Sequence, residues 1–566
     1  MIVYDFEIFM YDWLVVFKEI PSNTYKVIIN DPDTLKKYVN TNINDKMFVG
    51  YNNKQFDDIV LSGIFSEVEP YTTMTTLMNI ENKYSAYKLL NIKPLPLISI
   101  DLMQDVLGMS LKQAEGYMNL SVEECSIPFD IERPLTQEEI EVVLKYCYHD
   151  VDSTHELLKK RIDYVNSKLM LIKMFNLNIK NISKTNSSLC AEVLKAERKH
   201  HDDELIYDII PQINITNPVY KEVLKLYTGH ELDYTKTMKL NLGGIEHKLA
   251  YGGIHAAKEN FVYEGEMWDS DFTSYYPSMM ILYNFHSRNI KDPSMFKDIY
   301  DKRVEAKRAK NKPMANALKL IINTTYGSMK SKYNALFDPK MANQVCITGQ
   351  LLAVDLIEKL EPYITLVQSN TDGIIYIPHN KEKILEILDE WQQRTGLTLE
   401  TEKFKKIWQK DVNNYIIVEE NDNVKVKGGY VAQYEPGLRS NARILDIAVV
   451  NYFVNKKKPE DTIKEADDIF LFQYITKTGR TYDTTYWQHD GEEIEVNNVN
   501  RVYSSKNTND GTLFKVKKVG QVLRKDSIAN LPPHCIVDNA NQLSIDDIDK
   551  QWYIDQAYKR INDFIG

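Results

Sequence analysis

The chain has 566 residues, 43% of them hydrophobic and 26% charged, with a formal net charge of −11, enough length for several domains and enough apolar residues for packed cores. No apolar run approaches a membrane span and the start "MIVYDFEIFM" lacks the basic flank of a signal peptide, so neither a membrane nor an exported protein is expected. The five cysteines (Cys125, Cys147, Cys190, Cys346, Cys535) form no CxxC pair, which argues against zinc and a disulfide framework and for a reducing cytoplasm, while the acidic average leaves room for a local basic channel.

From the amino terminus, strand-like and helix-like runs alternate, as in an α/β domain. "MIVYDFEIF", "KMFVGYNN" and "PLISIDLM" read as strands. Leu135–Val165 reads as a long amphipathic helical region with a start signal at Thr136 in "TQEE". The character changes near residue 175, where a domain boundary is expected. Gly-containing hairpins follow in "LNLGGIEHKLAYGGIHAAK". Asp301–Lys332 carries nine Lys or Arg against two acids, is helical in composition and breaks at Pro313; taken alone, such charges are solvated decoration. "LVQSNTDGIIYIP", Leu366–Pro378, reads as strand, tight turn, strand. "NNYIIVEENDNVKVKGGYV" reads as a further hairpin and "DIDKQWYIDQAYKRINDFI" as a closing helix, with no internal repeat or low-complexity tract.

In "DFE", Asp5 and Glu7 alternate along a strand and share a face. Asp57 follows Phe56 in "YNNKQFDD", and Asp150 lies four residues after Tyr146, on one helix face. Each acid singly is best read as a surface carboxylate. As a set they suit two hard divalent cations, Mg²⁺ or Mn²⁺, which activate water and stabilise the leaving oxygen of a phosphodiester. These residues resemble the DEDD exonuclease motifs of proofreading DNA polymerases. Asp5 and Glu7 match the first motif, and Asn52 with Phe56 and Asp57 the second, Asn53 fitting the same spacing. Tyr146 and Asp150 match the third in its tyrosine form, Tyr148 and Asp152 offering a second frame. The resemblance implies an RNase H-like 3′–5′ exonuclease domain over residues 1–175. In it the four acids carry metals, Tyr146 orients the water, and Asn52 and Phe56 hold a frayed 3′ end, Phe56 by stacking. Ser110-Leu111 in "GMSLKQA" looks like the minor Ser/Thr-Leu motif of that family.

"DFTSYYPS" (Asp271–Ser278), "KLIINTTYG" (Lys319–Gly327) and "NTDG" (Asn370–Gly373) resemble, in order, motifs A, B and C of family B DNA polymerases. Tyr275 replaces a Leu of motif A, and Asn370 replaces the first Asp of motif C. The resemblance implies an α/β multidomain chain with a right-hand polymerase. Its connecting segment is 176–245, its palm 246–295 and 333–432, its fingers 296–332 and its thumb 433–566. Asp271 and Asp372 are then the carboxylates for two Mg²⁺ or Mn²⁺ ions, with the Phe272 carbonyl. Backbone amides of Ser274 and Tyr275 meet phosphates, and Tyr276 excludes a 2′-OH. Arg303, Lys307, Lys319 and Asn323 face the triphosphate, and Tyr326 packs on the nascent base pair. "YGGI" resembles the template-contacting Tyr-x-Gly-Gly motif, giving Tyr251, Gly252 and Gly253. Tyr415 lies where the family has Lys-x-Tyr against the primer; Asn413 replaces the Lys, and Lys425 and Lys427 are expected to supply cations to the duplex backbone.

The implied activity is DNA-templated DNA synthesis on primer-template DNA with dNTPs and 3′–5′ proofreading, by a viral enzyme replicating a phage genome in the cytoplasm of an infected cell. Fewer than fifty residues lie between Asp271 and Lys319, and again between Gly327 and Asp372. Protein-primed phage polymerases carry insertions in both intervals, so a compact monomer using ordinary primers is expected, with high processivity only alongside a clamp or other replisome partner. Further readings are a protein-primed polymerase, against which the short intervals speak, a stand-alone 3′–5′ exonuclease with a degenerate palm, which turns on Asn370, and a non-catalytic nucleic-acid-binding factor, against which the exonuclease acids speak.

Overall fold

A computed structural model of the chain describes every residue except Leu107, 433–436 and Gln521. It divides into two units. One comprises Met1–Thr185, Leu438–Asn441 and Asp467–Asp549; the other comprises Asn186–Gly437, Ala442–Ala466 and Lys550–Gly566. The stretch 433–566, expected as a single thumb, is thus shared between them, and its expected start at 433 lies outside the described residues.

The first unit is built on a five-stranded sheet of order β3-β2-β1-β4-β5. Its strands are β1 (Ile2–Ile8), β2 (Trp13–Glu19), β3 (Thr24–Ile29), β4 (Phe48–Gly50) and β5 (Ser99–Asp101). β1 pairs antiparallel with β2 and parallel with β4. The period of two decides the rest. Ile2, Tyr4, Phe6 and Ile8 enter the core with Trp13, Val15 and Phe17, so Asp5 and Glu7 point to the opposite face. The helix α1 (Asp57–Phe65) buries Ile59, Val60, Leu61 and Ile64 in that core, α2 (Leu111–Tyr117) packs on α3 (Gln137–Lys160), and α3 packs on β1. Thr136 caps α3 in a capping box with Glu139, and Ser110 caps α2 in the same way with Gln113.

The carboxy-terminal part of this unit holds two antiparallel sheets, of three and four strands, between Tyr474 and Val537. Its link to α2 is Arg501, fully buried. The Arg501 guanidinium donates to the carbonyls of Leu120 (2.7 Å) and Gly116 (3.1 Å), to Gln473 Oε1 (2.9 Å) and to Asn541 Oδ1. It therefore satisfies the Leu120 carbonyl just beyond α2 and shares the Gly116 carbonyl with the Asn119 N–H.

The second unit is built on a nine-stranded sheet of order β14-β13-β12-β9-β11-β10-β8-β7-β6. The strands are β6 (Met238–Leu242), β7 (Ile245–Ala250), β8 (Gly253–Ala257), β9 (Phe261–Phe272), β10 (Ile364–Asn370), β11 (Gly373–Pro378), β12 (Leu399–Asp411), β13 (Asn414–Glu419) and β14 (Val424–Lys427). Between β9 and β10 run α4 (Tyr275–Leu282), α5 (Ser294–Arg308), α6 (Lys312–Met329) and α7 (Pro339–Leu360). Pro313 sits in the first turn of α6, where its missing N–H costs nothing. Every residue of α7 from Ala342 to Ile357 is buried. Helices α8 (Arg443–Asn455) and α9 (Lys550–Ile565) pack Val449, Val450 and Phe453 against Ile561, Phe564 and Ile416. Among the described residues no helix is long and apolar enough to cross a membrane.

Candidate active sites

In the first unit, Asp5, Glu7, Asn52, Phe56, Asp57, Tyr146 and Asp150 line one cleft of about 450 Å³, with Tyr71, Met74 and Phe129 as apolar wall. Asp57 opens α1, and its Oδ1 accepts the Phe6 N–H at 3.1 Å, tying helix to strand. Burial, reinforced by the Asp150 charge, pushes Asp5 up to about 8. Burial and Asp5 hold Glu7 and Asp57 well above the ordinary carboxylate range. Asp150 rises to about 6 because burial outweighs the nearby Lys112 cation. Burial and mutual repulsion oppose ionisation of these carboxyls, with Lys112 offsetting part of that, and an all-oxygen donor set suits hard divalent cations.

The two motif ambiguities separate in space. Asn52 adopts a left-handed conformation (φ 61°) on the cleft wall, its N–H donating to Asp101 at 2.8 Å. Asn53 is buried instead, donating to Ser99 Oγ (2.8 Å) and Asp58 Oδ1 (3.2 Å). Tyr146 and Asp150 line the cleft, whereas Tyr148 packs edge-on against Tyr25 and Asp152 accepts from Lys18 at 2.7 Å. Ser110 is occupied as the cap of α2, which Leu111 opens.

Lys112 was not singled out from the sequence. From α2 it bonds Asp150 and Glu115 (3.1 Å to the latter) and lies 4.4 Å from the centre of the Tyr146 ring. Glu115 is fully buried, with His149 Nε2 at 3.5 Å. The Ser110 capping box gave the only local signal that a helix would present Lys112 here.

In the second unit, β9 and β11 run antiparallel with Gly373 opposite Asp271, and the Phe272 N–H donates to the Asp372 carbonyl at 2.8 Å. Asp271 and Asp372, far apart in sequence, therefore meet at one edge of a cavity of about 380 Å³ also lined by Asp269, Asn370, Tyr415, Lys425 and Lys427. Burial and Asp372 push Asp271 up to about 6. A β-carbon at Gly373 would lie 2.2 Å from Asp271 Oδ1, so glycine keeps the space in which that carboxylate stands. The paired carboxylates over a glycine-made gap fit a divalent cation.

An adjoining cavity of about 490 Å³ is lined by Phe272, Ser274, Tyr275, Tyr276, Arg303, Asn323 and Asp372, among others. Ser274 takes a left-handed conformation (φ 48°, ψ 46°) just before α4, a strained turn for a non-glycine residue. Phe272 stacks on Tyr275 at 4.1 Å, and Tyr276 meets Tyr326 edge-on at 4.5 Å. The Arg303 Nε is buried and has no hydrogen-bond partner among the described residues. Lys307 and Lys319 are exposed on α5 and α6, outside this lining, and form no ion pair among the described residues.

Three expected nucleic-acid contacts have other occupations. Lys425 is ion-paired with Glu402 (2.5 Å) and Glu419 (2.6 Å), so it is not a free cation. Tyr251 is buried; its hydroxyl donates to the Leu226 carbonyl (3.1 Å) and accepts the Asp233 N–H (3.2 Å). Gly253 has a packing reason, since a β-carbon there would lie 2.3 Å from Thr371 Oγ1 in the turn after β10. Gly252 faces open space, while Lys427 lines both cavities with its ammonium 5.8 Å from the Tyr415 ring centre.

Asp269 belongs to no motif in the sequence. It lies two residues before Asp271 on β9, and the alternation that pairs Asp5 with Glu7 pairs these two as well. Burial, with Asp271 and Glu402 nearby, holds its carboxyl well above the usual range.

No family model matches the chain. Over 57 residues it is 39% identical to DNA polymerase II of Escherichia coli (strain K12), a match covering 10% of this chain and 7% of that relative. It is similar in structure to the family B DNA polymerase of the hyperthermophilic archaeon Pyrobaculum calidifontis, at 12% sequence identity and a TM-score of 0.42, covering 100% of this chain and 78% of that one.

Proposed function

We propose that the chain is a DNA-templated DNA polymerase with a 3′–5′ exonuclease, each activity seated in its own unit. The observation that carries the reading is the meeting of Asp271 and Asp372 across β9 and β11, beside a cavity into which α5 brings Arg303, whose Nε has no partner among the described residues. Two Mg²⁺ or Mn²⁺ ions per site, when bound, supply charge stabilisation for in-line displacement at phosphorus. Asp271, Asp372 and the Phe272 carbonyl hold the cations of the polymerising site. The amides of Ser274 and Tyr275 receive phosphate oxygens at the strained turn. Arg303 and Asn323 meet the triphosphate, and the exposed Lys307 and Lys319 add charge as it enters. Tyr276, backed by Tyr326, occupies the space of a 2′-OH and selects dNTPs. Tyr415 and Lys427 support the primer strand.

In the first unit Asp5, Glu7, Asp57 and Asp150 hold cations, Tyr146 orients the attacking water, and Asn52 and Phe56 grip an unpaired 3′ end. Each acid must shed its proton before it can ligate, and the raised carboxyls supply that pH dependence. The short intervals around motif B support a compact, viral-type enzyme acting as a monomer on ordinary primers, with a separate partner for processivity.

The second reading, an exonuclease with a disabled palm, is favoured by one observation, the amide of Asn370 where an acid is expected. Primer extension and 3′ degradation by the parent chain, Asp372→Ala and Asp5→Ala/Glu7→Ala decide between them. Asp372→Ala should abolish extension and spare degradation, and the double variant should do the reverse. Normal extension by Asp372→Ala overturns the palm assignment; continued degradation by the double variant overturns the exonuclease.

A further inference from the structure

We propose that Asp269 is the third carboxylate of the polymerising site, standing in for the acid that Asn370 replaces; the inference rests on the polymerase reading above. Asp269 and Asp271 share a face of β9, about 7 Å apart along the strand, while Ser270 between them is buried on the other side, bonded to Tyr376 and Thr401. Across β11, Asp271 lies opposite Gly373 and Asp269 opposite Ile375. Asp269, Asp271, Asn370 and Asp372 line one cavity.

Asp269 forms no salt bridge among the described residues, while Lys425 and Lys427 line the same cavity and Lys425 is committed to Glu402 and Glu419. Asp269 is partly buried, and among the described residues its carboxylate makes no hydrogen bond. Glu402, opposite it on β12, is held by Lys425 at 2.5 Å. Glu400, opposite Asp271, is exposed and outside the cavity lining. Three carboxyls lining one cavity repel one another, and a shared cation relieves that repulsion. Asn370 can still offer an amide oxygen to a cation but contributes no negative charge. Asp269 restores three carboxylates to a cavity that would otherwise hold two.

The test reads metal binding rather than synthesis. The full chain carrying Asp5→Ala/Glu7→Ala, which silences the other acidic cleft, is titrated with MnCl₂ and free Mn²⁺ is followed by electron paramagnetic resonance. Asp269→Asn should weaken binding about tenfold, and adding Asn370→Asp should bring it back to within about threefold of the parent. Glu400→Gln should leave it unchanged. If Asp269→Asn binds Mn²⁺ like the parent while Asp372→Ala does not, this proposal is overturned and the polymerase reading stands. If Asp372→Ala also binds like the parent, the polymerase reading falls and takes the proposal with it. Loss in Asp269→Asn that Asn370→Asp fails to restore, or an equal loss in Glu400→Gln, overturns the substitution of one acid for another. Should Asp269→Asn fail to fold, carbodiimide labelling of the parent decides: Mn²⁺ should protect Asp269 together with Asp271 and Asp372, and labelling of Asp269 unaffected by Mn²⁺ overturns the proposal.

Discussion

Gly373 stands opposite Asp271 across the β9–β11 pair, and a single added methyl group at 373 would lie 2.2 Å from an Asp271 carboxylate oxygen. The atom in the way is the end of a side chain, so the fold can yield while the carboxylate is displaced. Gly373→Ala should therefore melt within a few degrees of the parent yet extend primers about a hundredfold more slowly, the scale expected of an ångström-sized misplacement. Its 3′ degradation should be unchanged, as measured on the same labelled primer without dNTPs.

Lys112 lies between Asp150 and Glu115, both buried. Lys112→Met leaves two acids without their shared cation, a loss of about 3 kcal/mol for a pair this far from water. Thermal melting in EDTA should show the loss, and Mg²⁺ should recover part of it, because a metal ion can replace the missing charge. Degradation of 3′ ends should fall while primer extension persists.

Asp5 at about 8 and Asp150 at about 6 both lie above the ordinary carboxylate range. The folded state thus keeps protons that the unfolded chain has already released. Stability of the metal-free protein is lost as pH rises from that range toward about 8. In EDTA the melting temperature should be lower at about pH 8 than at about pH 6. Mg²⁺ should narrow the difference, and Asp5→Asn should flatten it. An EDTA profile rising with pH would contradict the clustering of these acids.

Arg501→Met removes the donor for the Leu120 carbonyl and for Gln473 Oε1, and one of two donors to the Gly116 carbonyl, at a cost of about 3 kcal/mol from buried groups left unpaired. The affected helix carries Lys112 toward Asp150. Heating should extinguish 3′ degradation in this variant several degrees before primer extension, whereas the parent should not show that gap. Activity assays after stepped heating measure both temperatures.

Period-two alternation made Asp5 and Glu7 legible from the sequence, and the same rule applied to "WDSDF" would have exposed Asp269 beside Asp271. The hairpin around Asn370–Gly373, the helix after Thr136 and the pair of helices around Pro313 were likewise readable from turn, cap and breaker residues. Register was not. Whether Lys425 faces a nucleic acid or Glu402 depends on how β12, β13 and β14 align, which local composition does not determine. Asn52 and Asn53 both fall within the motif's tolerated spacing to Asp57, and only the left-handed turn at 52 sends one to the cleft and the other to the interior. The division of 433–566 was beyond reach for a different reason: Arg501 finds its partners at Gly116 and Leu120, and no motif announces a contact so distant in sequence.

The first unit is assembled from three separate stretches of chain, the last beginning at Asp467. During synthesis at roughly 5–20 residues per second, its amino-terminal sheet waits on the order of tens of seconds for the segment bearing Arg501. Throughout that interval Asp5, Glu7, Asp57 and Asp150 are all present, but the end of α2 lacks its clasp. The acidic cleft encoded first is completed late, after much of the second unit has already been made. The order of motifs along the gene is therefore not the order in which the two sites become whole, and a chain interrupted before Asp467 has every acid of that cleft without the finished unit around it.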